Sequence, residues 1–419
     1  MFSFNSIVSC PSPSHPFVKA RQPSKTKRSF TVRMTLTKSE STSNKTLFTS
    51  LTKLLWGQSL PPGFLISVVR LSWNSVWHLM MSQMAPADQT GAYSRPASKF
   101  RLGAASPSFS PSSLHLYVGI PCPWAHRALI VRALKGLEST ISVSVASPGK
   151  DGAWEFLQSK PRSSKQDVID EKGSTIVPGA DKANGCRNLR EVYGLREGGY
   201  DGRATVPMLW DAEAREVVCN ESYDIIEFFN SGLNEVAQNP ELDLSPTELK
   251  STIEEWNRRI YTDVNNGVYR VGFAQSQVAY DQAVNDLFST LDHVDNHLAS
   301  SRYLCGDRLT LADVCLFTTL IRFDLVYNVL FKCTKKKMIE YLNLHAYLRD
   351  IYQMPKIAET CNFQATMDGY FGELFMLNPG CIRPVIPSGY ETDALHAPHH
   401  REALSSGSKS VTDLLMASN

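Results

Sequence analysis

Between Leu114 and Val145 the hydrophobic pattern changes period twice, and this limits the folds open to the chain. Leu114-His115-Leu116-Tyr117-Val118 alternates as a short strand does, with successive side chains on opposite faces. Gly119-Ile120-Pro121 ends it, because proline has no N–H to give a ladder. Residues 122 to 136 then place Ala125, Ala128, Leu129, Val131, Ala133 and Leu134 at helical spacing, with a stop near Gly136. Ile141-Ser142-Val143-Ser144-Val145 returns to period two. A polar stretch over 158–188 reads as loop. Val206-Pro207-Met208-Leu209-Trp210 and Glu216-Val217-Val218-Cys219 read as two strands around a turn at Asp211 to Arg215, and Glu221 to Phe229 begins another helix. Strand, helix, strand, irregular segment, strand, strand, helix is a thioredoxin-like order.

Beyond residue 245 strand signals fade, and helical patterns run over 246–266, 276–299, 310–330 and 337–353. The expected fold class is therefore α/β plus all-α. A thioredoxin-like domain covers 91–230 and an all-helical domain covers 246–387, joined by a linker, Asn230 to Ser245, rich in Asn, Gly and Pro. Thr310 with Asp313 three residues on resembles a capping box and reads as a folding element of the helical domain.

The first residues differ from the rest. Residues 1–38 contain no Asp or Glu, are dense in Ser and Thr, and carry Lys19, Arg21, Lys25, Lys27, Arg28, Arg33 and Lys38. Acid-poor, Ser-rich and basic is the composition of an organelle transit peptide, expected over 1–45. The Ser content favours a plastid (chloroplast) address, with cytoplasm or mitochondrion as alternatives. Residues 46–90 read as a poorly specified extension. Its apolar run from Gly63 to Val69 is interrupted nearby by Pro61-Pro62, Arg70 and His78, so no membrane span is expected. Residues 388–419 read as a disordered tail, and Lys335-Lys336-Lys337 as a solvated turn.

Composition excludes some partners. Lys+Arg 43 against Asp+Glu 41 leaves a formal charge of +2 in 419 residues, too little field to expect a nucleic-acid partner. Nine cysteines without a CxxC pair fit free thiols better than a disulfide framework. No zinc-type spacing appears, so no metal is expected, His396, His399 and His400 being assigned to the tail.

The chemistry centres on Cys122-Pro123-Trp124-Ala125. A cysteine between a strand and a helix faces unpaired N–H groups and the positive end of the dipole, which favours thiolate and predicts a lowered pKa. Pro123 suits the first helical turn, where a missing donor costs nothing. The fourth position is Ala125, so no local thiol can close a disulfide; the second thiol must come from outside, and glutathione is the obvious source. Thr205-Val206-Pro207 opens a strand; a cis bond before Pro207 would turn the Val206 backbone toward the thiol. Asn220-Glu221-Ser222 opens a helix, where Ser222 can hold the carboxylate and Glu221 the ammonium of a γ-glutamyl group. N-capping is compatible with that role.

Cys122-Pro123-Trp124-Ala125-His126-Arg127, Gly202 to Pro207, Asn220-Glu221-Ser222, Asn265-Asn266-Gly267-Val268-Tyr269 and Leu320 to Asp324 together resemble the glutathionyl-hydroquinone reductases, the xi class of glutathione transferases. The resemblance runs from about Gly91 to Pro387. It implies reduction of S-glutathionyl-hydroquinones by glutathione through a mixed disulfide on Cys122, with release of glutathione disulfide. It further implies that Trp154 and Arg203 line the glutathione site beside Thr205, Val206, Glu221 and Ser222. Tyr269 would handle the proton needed by the departing quinol carbon, while Tyr327 and Tyr370 point phenols at the thiolate. No permanently bound cofactor is implied, and a homodimer is. Three stretches depart from the family pattern: Leu102 to Ser113, Ser159 to Gly185, and Gly194 to Gly199. Two other readings remain open, an omega-like monothiol transferase acting as dehydroascorbate reductase or deglutathionylase, and a non-catalytic carrier of aromatic ligands.

Overall fold

The computed structural model describes residues 63–103, 109–149, 152–157 and 176–405. The expected transit peptide over 1–45, and most of the polar loop over 159–185, lie outside the described residues. The chain divides into two compact units, Met1–Arg70 and Leu71–Asn419. Of the first, the described residues are the opening turns of helix α1, Gly63–Met84. Everything below concerns the second.

The extension over 46–90 was expected to be poorly specified, yet α1 occupies 22 of its residues. Apolar side chains fall on several of its sides, so no single helical stripe stands out: Leu71, Trp73, Val76 and Leu79 are exposed whereas Met81 is buried. Trp77 fastens it by donating from Nε1 to the carbonyl of Met376 at 3.2 Å. Among the described residues no helix is long and apolar enough to cross a membrane.

The α/β part is a five-stranded sheet in the order β3-β2-β1-β4-β5. Its strands are β1 Leu114–Gly119, β2 Ser142–Pro148, β3 Trp154–Glu155, β4 Met208–Asp211 and β5 Glu216–Cys219. β1 runs parallel to β2, with Leu116 opposite Val143, and antiparallel to β4, with Leu116 also opposite Leu209. Every residue of β1 is buried, as the centre of a covered sheet requires. The parallel step needs a crossover, supplied by α2, Pro123–Leu134. Gly136, at φ +64°, lets the chain turn back after it. Two short helices follow, α3 Leu189–Gly194 and α4 Ser222–Glu227. α3, absent from the sequence reading, starts where the Asn188 side chain accepts from Glu191 N–H at 2.9 Å.

The helical part comprises α5 Lys250–Ile260, α6 Gly267–Gly272, α7 Gln277–His297, α8 Leu311–Arg322, α9 Leu342–Tyr352 and α10 Phe363–Glu373. The expected helices over 246–266 and 310–330 each lose their regular winding at the C-terminal end. Wider π turns, Tyr261–Asn265 and Phe323–Tyr327, take over there, and both sit beside the site, as such turns often do. All of α8 is buried. The capping box forms: Asp313 accepts from Thr310 N–H at 2.8 Å, and from Leu304 N–H and the Tyr347 hydroxyl at 2.9 Å each.

Two expectations are corrected. The segment from Asn230 to Ser245 is not a loose linker. Asn230 accepts from Leu244 N–H at 2.8 Å, and the ammonium of Lys135 donates to Asn234 at 2.8 Å and to the Leu242 carbonyl at 2.7 Å. A polar stretch can be held firmly when its own carbonyls satisfy a buried cation. Nor is 388–405 a disordered tail. Arg401 is buried and donates to the carbonyls of Arg302 and Leu298 at 2.8 and 3.1 Å, stitching the segment onto the end of α7. Residues 406–419 lie outside the described residues.

Candidate active site

Cys122 is the N-cap of α2, with extended backbone angles and Pro123 in the first turn. It is half-buried. The N–H groups of Trp124 and Ala125 point at its sulfur, and the guanidinium groups of Arg95 and Arg322 add positive charge. All four favour thiolate. Burial opposes them and prevails, so the thiol is pushed above its ordinary value rather than below it. This corrects the expectation drawn from the helix start. In this protonated state the Cys122 thiol donates to the Val206 carbonyl at 3.4 Å, a bond that further favours the neutral form.

The Val206–Pro207 peptide is cis, and the Val206 carbonyl meets the thiol as the sequence suggested. Beside it opens a cleft of ≈ 460 Å³, lined among others by Arg203, Thr205, Val206, Pro207, Glu221 and Ser222. Five of the six residues expected to bind glutathione therefore converge there. The sixth, Trp154, does not line the cleft. It sits on β3 with its ring against Gly119, leaving no room for a Cβ at that glycine. It thus packs on the end of the strand that leads to Cys122.

Glu221 caps α4, accepting from Tyr223 N–H at 3.3 Å and from the Ser98 hydroxyl at 2.8 Å. Ser222 is buried and accepts from Arg127 at 3.3 Å. The Thr205 hydroxyl accepts from the Asn220 amide at 3.4 Å, and its carbonyl from Tyr193 at 2.9 Å. Arg203 is exposed. Carboxylate, hydroxyl, amide and guanidinium groups in one cleft suit a zwitterionic peptide with free carboxylates.

On the other side of the thiol lie the three tyrosines. Tyr370 is the middle of a chain, its hydroxyl 2.7 Å from that of Tyr269 and 3.1 Å from that of Tyr327. Burial pushes all three phenols up, so they stay protonated. Tyr269 and Tyr327 both lie close enough for Cys122 to influence their ionisation electrostatically. Tyr327 and Tyr370 do not hydrogen-bond the sulfur as expected. Among the described residues no tyrosine hydroxyl does, because the three satisfy one another and the thiol has its carbonyl.

Comparison with known proteins decides what this arrangement belongs to. Residues 121–231 match the N-terminal domain of glutathione S-transferases and residues 277–350 their C-terminal domain. The chain is 40% identical over 342 residues to the glutathionyl-hydroquinone reductase YqjG of Escherichia coli (strain K12), covering 79% of this chain and 96% of that protein. It is 39% identical over 320 residues to the glutathionyl-hydroquinone reductase PcpF of Sphingobium chlorophenolicum, covering 75% and 94%. The solved glutathione transferase Xi of Phanerochaete chrysosporium matches with a TM-score of 0.65 at 38% identity, covering 72% of this chain and 95% of that one. This chain belongs to the glutathionyl-hydroquinone reductases.

In this xi-class reductase several site residues escape sequence reasoning. The strap before β1 contributes Tyr93, Arg95, Pro96, Ala97, Ser98 and Lys99 to the cleft wall. Arg95 donates to Asn266 at 3.0 Å and lies 4.4 Å from the ring centre of Trp124 and 5.0 Å from that of Tyr269, within cation–π range. It stands between the cleft and the phenols. A lone Arg in an irregular polar segment carries no local signal of this. Only the position of Trp124, in the first turn of a helix that starts at a cysteine, could have hinted at an aromatic wall. Among the described residues no cluster of His, Cys, Asp or Glu could hold a metal.

Proposed function

We propose that this reductase removes glutathione from S-glutathionyl-hydroquinones with glutathione as co-substrate, Cys122 being the nucleophile. The observation that carries the reading is a single thiol between a peptide-binding cleft and a chain of protonated phenols. The Cys122 thiolate attacks the glutathionyl sulfur. The carbon–sulfur bond breaks, its electron pair stays with the quinol carbon, and that carbon takes a proton from Tyr269. A Cys122–glutathione disulfide results. A second glutathione thiolate attacks the glutathionyl sulfur, releasing glutathione disulfide and restoring the Cys122 thiolate. The proton of that second glutathione ultimately replaces the one lost from Tyr269, so the carbon gains two electrons, one from the thioether sulfur and one from the sulfur of the second glutathione. With no second cysteine in the CPWA motif, an external resolving thiol is required.

The placement of these groups supports the following roles. The cleft groups Glu221 and Ser222 hold the γ-glutamyl end, Arg203 grips a carboxylate, and the Val206 backbone pairs with the cysteinyl unit of glutathione. Tyr327 and Tyr370 support Tyr269 rather than touching the sulfur. Trp154 acts through packing on Gly119. We assign the acid-free N-terminal segment to plastid import and the assembled enzyme to a homodimer through the helical part, on composition and family membership respectively.

Mass analysis after exposure to a glutathionyl-hydroquinone tests the reading. One glutathione is expected on Cys122, removable by excess glutathione. An adduct on another cysteine, with turnover intact in Cys122→Ala, would end the proposal.

A further inference from the structure

Arg322, the last residue of α8, is 4% exposed. Its guanidinium donates four bonds: Nη2 to the Ile120 carbonyl at 2.8 Å, Nε to the Pro121 carbonyl at 3.2 Å, and Nη1 to the Thr318 carbonyl and to His126 Nδ1 at 2.9 Å each. All four acceptors are neutral. His126 can donate its other ring nitrogen to the Thr360 hydroxyl at 2.8 Å, and burial holds its imidazole well below the usual range. Among the described residues no carboxylate forms an ion pair with Arg322. Arg302, buried elsewhere in the helical part, has Asp350 at 2.8 Å. A buried cation without a counter-ion is costly. Two of its four bonds go to the carbonyls immediately before Cys122, where an anion must form during the reaction.

We propose that Arg322 is a positioning residue of the thiol site: it clamps the Ile120–Pro121 carbonyls from the helical domain and supplies the fixed buried charge that the Cys122 thiolate answers. The inference rests on Cys122 being the nucleophile. The groups facing that sulfur are Arg95 from the strap, Arg322 from α8, Tyr269 from α6 and Tyr327 from the π turn after α8. Tyr370 and Cys361 face Arg322 in turn. All of these but the two arginines are neutral when the site is at rest, so the two cations supply the side-chain charge at the sulfur, in addition to the Trp124 and Ala125 N–H groups. Arg95 is half-buried and reaches in from an irregular strap, whereas Arg322 is fixed by four bonds to three elements.

The test is alkylation of Cys122 by iodoacetamide across the thiol pH range, in the full chain, followed by mass mapping of the Cys122 peptide. Arg322→Gln removes the charge, and its alkylation midpoint is expected to move up by about one pH unit, with alkylation about tenfold slower below the midpoint. Arg322→Lys keeps the charge without the planar fork, and its midpoint is expected between those of the wild type and the Gln variant. A structural role alone would lower both melting temperatures and leave the midpoints together. Coincident midpoints in folded variants overturn the proposal. If neither variant folds, Cys122→Asp and Cys122→Asn, with Arg322 intact, decide it. The carboxylate is expected to melt higher than the amide at slightly alkaline pH; an equal or lower melting temperature overturns the idea. Failure of wild-type Cys122 to alkylate at any pH would instead sink the proposed function itself.

Discussion

On one side the thiol faces a cleft lined by Arg95, Ser98, Lys99, Arg203 and Glu221; on the other it faces three phenols that bond one another and are each at least nine-tenths buried. The cleft stands open, and its polar groups come from the strap, the loop before β4 and the start of α4. The phenols are closed in, with the Arg95 guanidinium over Tyr269. A tripeptide entering this cleft would meet groups already in place, as in a preformed ligand site. An aromatic ring brought to the face of Tyr269 would meet the Arg95 guanidinium already there. A cation on an aromatic face can also move onto the ring that replaces it.

That contrast predicts separable kinetic effects. Cys122→Ser lies at the junction and should lower turnover by about 10³-fold or more, with glutathione affinity, measured by calorimetry, kept within a few-fold. Loss of affinity as well would show that cleft and thiol are one unit. Tyr269→Phe should lower kcat by about 10²-fold, the usual worth of a general acid, and leave KM for glutathione unchanged. A rise in that KM would place the phenol in the wrong half. The pH profile of kcat/KM reports the thiol. Its raised pKa means that thiolate accumulates as pH rises, so activity should still be climbing above the ordinary thiol range, about tenfold per unit on the acid side. A plateau already reached at neutral pH would show that substrate or Arg95 overcomes burial. The smallest effect expected is that of Glu221→Gln, raising KM for glutathione by about tenfold through loss of a charged hydrogen bond, with kcat for the bound complex little changed.

What was legible in the sequence is what depends on neighbours along the chain. The strand ending in Gly119-Ile120-Pro121, the cysteine cap, the proline in the first turn and the Thr310–Asp313 box are local devices, and each forms where its residues stand. The strap was illegible because its partners are remote: Ser98 meets Glu221 across 123 positions and Arg95 meets Asn266 across 171. The thiol's ionisation was illegible for a related reason. A helix start can be read from Cys122-Pro123, but the burial that outweighs it comes from elements brought in from elsewhere in the chain. α10, which carries Tyr370, was missed as well. Gly369 and Gly372 weaken its helical signal, yet Gly369 lets it close onto Pro121, where a Cβ would collide. Trp154 shows the converse, a residue placed by family resemblance in the ligand site and found supporting the strand behind it.

Three hydroxyls joined by two contacts hold one proton more than the contacts consume. If Tyr269 aims its hydrogen outward, Tyr370 can donate to Tyr269 and Tyr327 to Tyr370, so the arrangement acts as a short directional wire. Departure of the outermost proton is then met by reorientation along the whole row. Such a row should leave a curved rate dependence in mixtures of light and heavy water, the signature of several hydrogens shifting in one step.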